Sequence, residues 1–134
     1  MKKQTFYLVA LLLGFTCGQH LLAQDLRRNG SSFGKIESDG TVRLGGSSKG
    51  SIESDGTIRV SGSSVGKIES DGTIRKGGSS IGKIERDGTV RINGSSVGKI
   101  EDDGTVRKSG SSIGSAKGVR KEHAAIIFFF DFFK

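Results

Sequence analysis

Three side chains return at fixed spacing along most of this chain. They are Glu37, Thr41 and Arg43, then Glu53, Thr57 and Arg59, Glu69, Thr73 and Arg75, Glu85, Thr89 and Arg91, and Glu101, Thr105 and Arg107. A carboxylate, a hydroxyl and a guanidinium held together can grip a polar ligand by ion pairing and hydrogen bonding. Repeated around one molecule, weak identical sites would gain strength by acting in concert. The same residues can instead pair with one another across adjacent strands as a solvated face, at roughly 0.2–1 kcal/mol a pair. Both readings concern binding or structure rather than catalysis.

Other residues with chemical potential are thinner. Gly77-Gly78-Ser79-Ser80-Ile81-Gly82-Lys83 is spaced like a phosphate-binding loop, but Ile84 stands where a magnesium-binding Ser or Thr belongs, and the pattern continues as a strand. The aspartates before each glycine supply one carboxylate per turn, and even Asp102-Asp103 falls short of the 6–8 oxygens that calcium takes. His123 is the one histidine beyond the first 23 residues, and no general base recurs beside the many serines. The expectation is a protein without catalytic residues, cofactor or metal.

Positioning these groups is the task of a sixteen-residue unit, Ser31 to Gly46, that returns in register from Ser47, Ser63, Ser79 and Ser95. So regular a period means that each unit is one supersecondary piece unable to bury its apolar face alone. Asp39-Gly40 marks a tight turn in the unit. A two-residue loop would set Ile36 against Arg43. A three-residue loop with Gly40 left-handed sets Glu37 against Thr41 and Ile36 against Val42. Only the second collects Gly34, Ile36 and Val42 on one face, with Lys35, Glu37, Thr41 and Arg43 on the other, so it is the expected register. Phe33 and its counterparts Lys49, Val65, Ile81, Val97 and Ile113, mostly apolar, break the alternation, which predicts a kink at the following glycine that turns this side chain inward. Asn29-Gly30-Ser31 and Asn93-Gly94-Ser95 match the glycosylation pattern, but Asn in place of Gly at a left-handed turn position explains them.

At the start, Lys2 and Lys3, the apolar run Phe6–Phe15 and Ala23 before Gln24 read as a secretory signal over residues 1–23, with residues 24–134 as a single domain. Cleavage there would remove Cys17, and with it any disulfide or thiolate site, and would lower the net charge from +7 to +5. Signs alternate within each repeat rather than segregating, which argues against nucleic acid as a partner. Residues 25–30 align with the back half of a unit and residues 111–116 with the front half. Pairing of the two halves around the full repeats 31–110 would close the chain and remove both sheet edges. The apolar tail Ala124–Phe133 is too short for a membrane helix and contains Asp131. It reads as a Phe-rich strand that runs across or through the ring and packs as core or cap.

The Gly-x-Ile-Glu-x-Asp-Gly-Thr-Val-Arg unit, used five times and followed by an Ala-Ala…Phe-Phe-Phe tail, resembles the small secreted bacterial proteins called five-fold β-flowers. The resemblance spans residues 25–134 and implies a radial arrangement of short hairpins. The expected fold is thus all-β, a closed ring of short hairpins with the tail inside. The number of units is left open at five, or six if the halves complete one. The expected role is that of an exported structural or interaction protein of the periplasm, outer membrane or exterior. An envelope protein or a glycan would be its partner, with the Glu/Thr/Arg face as the binding surface in the alternative reading.

Overall fold

A computed structural model describes residues 24–133. The expected leader lies outside them. Twelve strands follow one another around a closed antiparallel barrel: β1 (Gln24–Arg28), β2 (Ser31–Ile36), β3 (Thr41–Leu44), β4 (Ser47–Ile52), β5 (Thr57–Val60), β6 (Ser63–Ile68), β7 (Thr73–Lys76), β8 (Ser79–Ile84), β9 (Thr89–Ile92), β10 (Ser95–Ile100), β11 (Thr105–Lys108) and β12 (Ser111–Ser115). Closure comes from β1 against β12, with Arg27 opposite Ser115 and Arg28 opposite Gly114. The two half-units do pair, and the ring holds six units.

Two kinds of turn alternate around it. At the end we call lower, Ile36 faces Val42, and the Glu37 amide donates to the Thr41 carbonyl while the Gly40 amide donates to Glu37. This is the three-residue loop, with Gly40 at φ 94°. Asp39 Oδ1 accepts the Thr41 amide at 2.9 Å, and the same bond recurs from Thr57, Thr73, Thr89 and Thr105. At the upper rim, two-residue turns join the strands, and both central residues have positive φ, as at Gly45 (61°) and Gly46 (85°). Asn29 and Asn93 take this geometry at φ 52° and 51°. The strand pairs made by these upper turns form six petals, β1–β2 through β11–β12. In each petal the register slips by one residue just before the glycine, as where Val42 faces Gly50 but Arg43 faces Ser48. The slip is a bulge at the Phe33-type position. Phe33, Val65, Ile81, Val97 and Ile113 are accordingly half-buried and packed against the core.

Alternation along the strands makes two rings of inward side chains. One is Ile36, Ile52, Ile68, Ile84, Ile100 and Ala116, and the other is Leu26, Val42, Ile58, Ile74, Val90 and Val106; all are buried. Through their middle runs the tail, and here the structure corrects the sequence reading. Residues Lys121–Phe129 form a helix, α1, rather than a strand. The physical reason is closure itself. Every strand edge is consumed by a neighbour, so a segment inside the apolar ring finds no partner for its amides and carbonyls and must satisfy them internally. Ala124, Ala125 and Ile126 are fully buried, their small or compact side chains fitting a helix among the Ile and Val rings. Past Phe129 the backbone becomes extended, with Phe130 at φ −119°, ψ 131°.

Candidate interaction surface

The five Glu/Thr/Arg sets lie on the outer wall. Each arginine donates from Nε to the glutamate Oε2 of its own hairpin at 2.8–3.0 Å, in the pairs Arg43–Glu37, Arg59–Glu53, Arg75–Glu69, Arg91–Glu85 and Arg107–Glu101. These side chains are 33–41% exposed, so solvent screens the pairs and each contributes little on its own. Four of the arginines also donate from Nη1 to a turn carbonyl, those of Gly62, Gly78, Gly94 and Gly110. In these four the guanidinium ties the lower turn to the upper one.

At the closing seam the pattern is rebuilt with different residues. Lys117 occupies the glutamate slot and Asp25 the threonine slot. Arg27 accordingly pairs with Asp25 at 3.0 Å, and it reaches the Gly30 carbonyl as its counterparts do theirs. The arginine thus keeps a carboxylate partner, supplied from the threonine slot of its own strand rather than from the glutamate slot.

Between neighbouring petals the outer wall is grooved, and equivalent residues line the groove in three places. One groove of about 770 Å³ has Asp25, Ser32, Phe33, Lys35, Glu37 and Arg43 with the Gly45-Gly46 turn. A second, about 240 Å³, has Thr73, Ser80, Ile81, Lys83 and Arg91 with the Asn93-Gly94 turn. The third, about 210 Å³, crosses the seam with Thr105, Ser112, Ile113, Ser115 and Arg27 and the Asn29-Gly30 turn. Each offers hydroxyls, at least one cation and one half-buried apolar side chain from the bulge. Of the residues singled out in the sequence, Glu37, Thr73, Thr105, Arg43 and Arg91 line these grooves. Sequence reasoning did not single out the Ser32-type serine, the Lys35-type cation or the apolar residue that line them as well, although the break in alternation at Phe33 was the signal for the apolar one.

Glu53, Glu69 and Glu85 also border the space between the lower turns and the start of α1. The turn aspartates Asp39, Asp55, Asp71, Asp87 and Asp103 are held below the usual carboxylate range, chiefly by the backbone N–H of the following threonine and then by its hydroxyl. Asp102 is lowered by its hydrogen bond from Lys121. Beside the start of α1, depressions of about 550 and 230 Å³ lie between the lower turns and Arg120, Lys121, Glu122 and His123. Burial lowers the His123 pKa below the ordinary histidine value, Arg120 adds to the effect and Glu122 opposes it. Gly77-Gly78 is an upper turn leading into β8, so the phosphate-loop spacing carries no helix N-terminus behind it.

The family model described as 5-fold beta-flower protein matches residues 23–133. This chain belongs to that family. No curated protein and no solved structure matches it. In this β-flower the petals number six, while five is the number of phenylalanines that the tail sends to the strand glycines. A methyl built on Gly114, Gly98, Gly82, Gly66 or Gly50 would strike Phe128, Phe129, Phe130, Phe132 or Phe133 respectively, and on Gly34 it would meet Leu44 instead. Each step along the tail moves one petal back along the chain. Among the described residues of the β-flower no helix is long and apolar enough to cross a membrane.

Proposed function

We propose that this β-flower is an exported, non-enzymatic interaction protein whose outer grooves take a hydroxyl-rich ligand, a glycan of the cell envelope or exterior, at several equivalent points. The observation that carries this reading is the recurrence of one groove, with the same residue types, between petals at different positions around the ring. Serine and threonine hydroxyls and the Asn29 and Asn93 amides can hydrogen-bond sugar hydroxyls, and Phe33, Ile81 or Ile113 offers an apolar contact. Lys35 and Lys83 supply charge toward acidic substituents. In this reading Glu37, Thr41, Arg43 and their copies frame the grooves, with the arginines held in place by their glutamates. Sites of this kind are individually weak, and repetition around a rigid ring would supply the avidity.

A glycan array with the protein immobilised at high density tests the proposal. Binding that disappears when Lys35, Ser80, Lys83 and Ser112 are replaced by alanine, with the circular dichroism spectrum unchanged, supports it. An array without hits would sink it. Export is tested separately, by fractionating cells and sequencing the N-terminus, which should begin at Gln24; a cytoplasmic protein that keeps Met1–Ala23 would refute that half.

A further inference from the structure

Charge on this ring is sorted along its axis. The repeat glutamates and the turn aspartates all lie at the lower end, together with Glu122, and outnumber the cations Arg86, Lys117, Arg120 and Lys121 there, whereas among the described residues the upper rim holds a single carboxylate, Asp131. The upper rim carries Arg28, Lys76 and Lys108 at matching strand positions and Lys49 at a bulge. None of these four cations forms an ion pair among the described residues. Two of them rest on aromatic faces instead. The Arg28 guanidinium lies 4.6 Å from the Phe33 ring centre and 5.3 Å from that of Phe128, and the Lys76 ammonium is 5.4 Å from Phe132. At the same end Phe128, Phe129 and Phe133 remain only half-buried, although they sit beside the core. The six upper turns around them consist of Gly, Ser and Asn alone, so no charged side chain stands on the tips.

From this arrangement we propose that the upper mouth is a peripheral docking face for a bilayer surface rich in anionic lipid. The occupant follows from charge and chemistry together. Aromatic rings flanked by long cationic side chains match the boundary between headgroups and acyl chains, where rings sit and cations meet lipid phosphates. A collar of positive charge around an apolar centre favours a negative surface over a neutral one. It also disfavours a second copy, because two mouths face to face would oppose Arg28, Lys49, Lys76 and Lys108 of both rings. The acidic lower end then points away from the membrane, which sets one orientation. This inference is independent of the glycan reading, since it concerns the rim rather than the outer grooves.

The test is cosedimentation of residues 24–134 with vesicles of phosphatidylcholine alone or of phosphatidylcholine with phosphatidylglycerol, at low and high salt. Binding is expected to the anionic vesicles only and to weaken with salt. Replacing Arg28, Lys76 and Lys108 with serine should lower the partition coefficient roughly a hundredfold. Removing the same charge from the outer wall, with Lys35→Ser, Lys67→Ser and Lys83→Ser, should lower it far less. Lys108→Glu, at a lysine outside the cation–π contacts of Arg28 and Lys76, serves as a second rim variant if the triple fails to fold, and it should weaken binding more than Lys67→Glu. The proposal is overturned by absence of binding to anionic vesicles, by equal losses for rim and wall variants, or by a stable mouth-to-mouth dimer in ultracentrifugation.

Discussion

The ring of Phe132 and the backbone carbonyl of Arg75 together occupy the space that a side chain on Gly66 would need: a methyl there would clash with the carbonyl oxygen and fall 2.6 Å from Cε1 of the phenylalanine. The bare strand position and the aromatic tail are thus two halves of one packing device. Replacing Gly66 with alanine is expected to cost at least about 1–3 kcal/mol, the range for overpacking a filled core. Urea denaturation of Gly66→Ala, Phe132→Leu and the double variant checks the coupling. The double variant should recover part of the loss, while Gly114→Ala with Phe132→Leu should be additive, because Gly114 faces Phe128. Additivity in the first cycle would show that the two residues do not meet.

Removing residues 124–134 takes out the helix side chains and all five tail phenylalanines together. Phe130 and Phe132 are buried, and each is worth roughly 1.5–3 kcal/mol on burial alone. The small aliphatics of a Gly-rich ring do not replace them. The truncated chain is expected to lose its cooperative thermal transition in circular dichroism; a transition at the full-length temperature would exclude the tail as an organiser of the core.

For the outer wall the expected effect is small. Arg75→Ser removes a half-exposed pair with Glu69 and a bond to the Gly78 carbonyl, and should lower stability by about 0.2–1 kcal/mol, less in high salt. The same substitution at Arg59, Arg91 or Arg107 should give similar values, because their bonds are the same. A loss several times larger, measured by denaturant melts, would mean that the pair supports more than the local hairpin.

Ser61 and Ser109 hold the left-handed first position of an upper turn at φ 53° and 52°, where other petals use Gly or Asn. A side chain other than Asn or Asp costs energy there, and glycine relieves it. Ser61→Gly should raise stability by about 1 kcal/mol, whereas Gly45→Val should lower it by more than that. A drop in the melting temperature of Ser61→Gly would contradict the turn assignment.

Acid should destabilise the ring in two stages. His123 has a folded pKa below its unfolded one, so its neutral form is favoured in the native state. Stability is full above the ordinary histidine value of 6.5 and is lost as pH falls from there toward the lower folded value. The turn aspartates are likewise lowered, so their contribution is present above the ordinary value of 3.8 and is lost as pH falls below it toward their folded values. Melting temperature measured against pH should decline in both windows. His123→Gln should flatten the upper one and leave the lower one in place; a variant with an unchanged slope near pH 6 would assign that loss elsewhere.

Much of this molecule is dictated by residues near one another in the chain. The Asp39-Gly40 loop and its register follow from the need to keep Ile36 and Val42 on one face, and Gly45-Gly46 or Asn93-Gly94 from the positive φ of a two-residue turn. Phe33 at a broken alternation announced the bulge, and the half-units 25–30 and 111–116 announced the closing seam. These are short-range constraints of sterics and period, so sequence alone decides them.

Three things were decided only when the ring closed. Closure left the tail without a strand to pair with, which made Lys121–Phe129 a helix where local apolar composition suggested a strand. It completed a sixth unit from two halves, setting Arg27 opposite Ser115 across the seam. It also brought Phe128 to Phe133 one by one against Gly114 to Gly50, residues far apart in the chain. Backbone bonding and close packing at these places depend on groups that meet only in three dimensions, and no local pattern specifies which partner each will find.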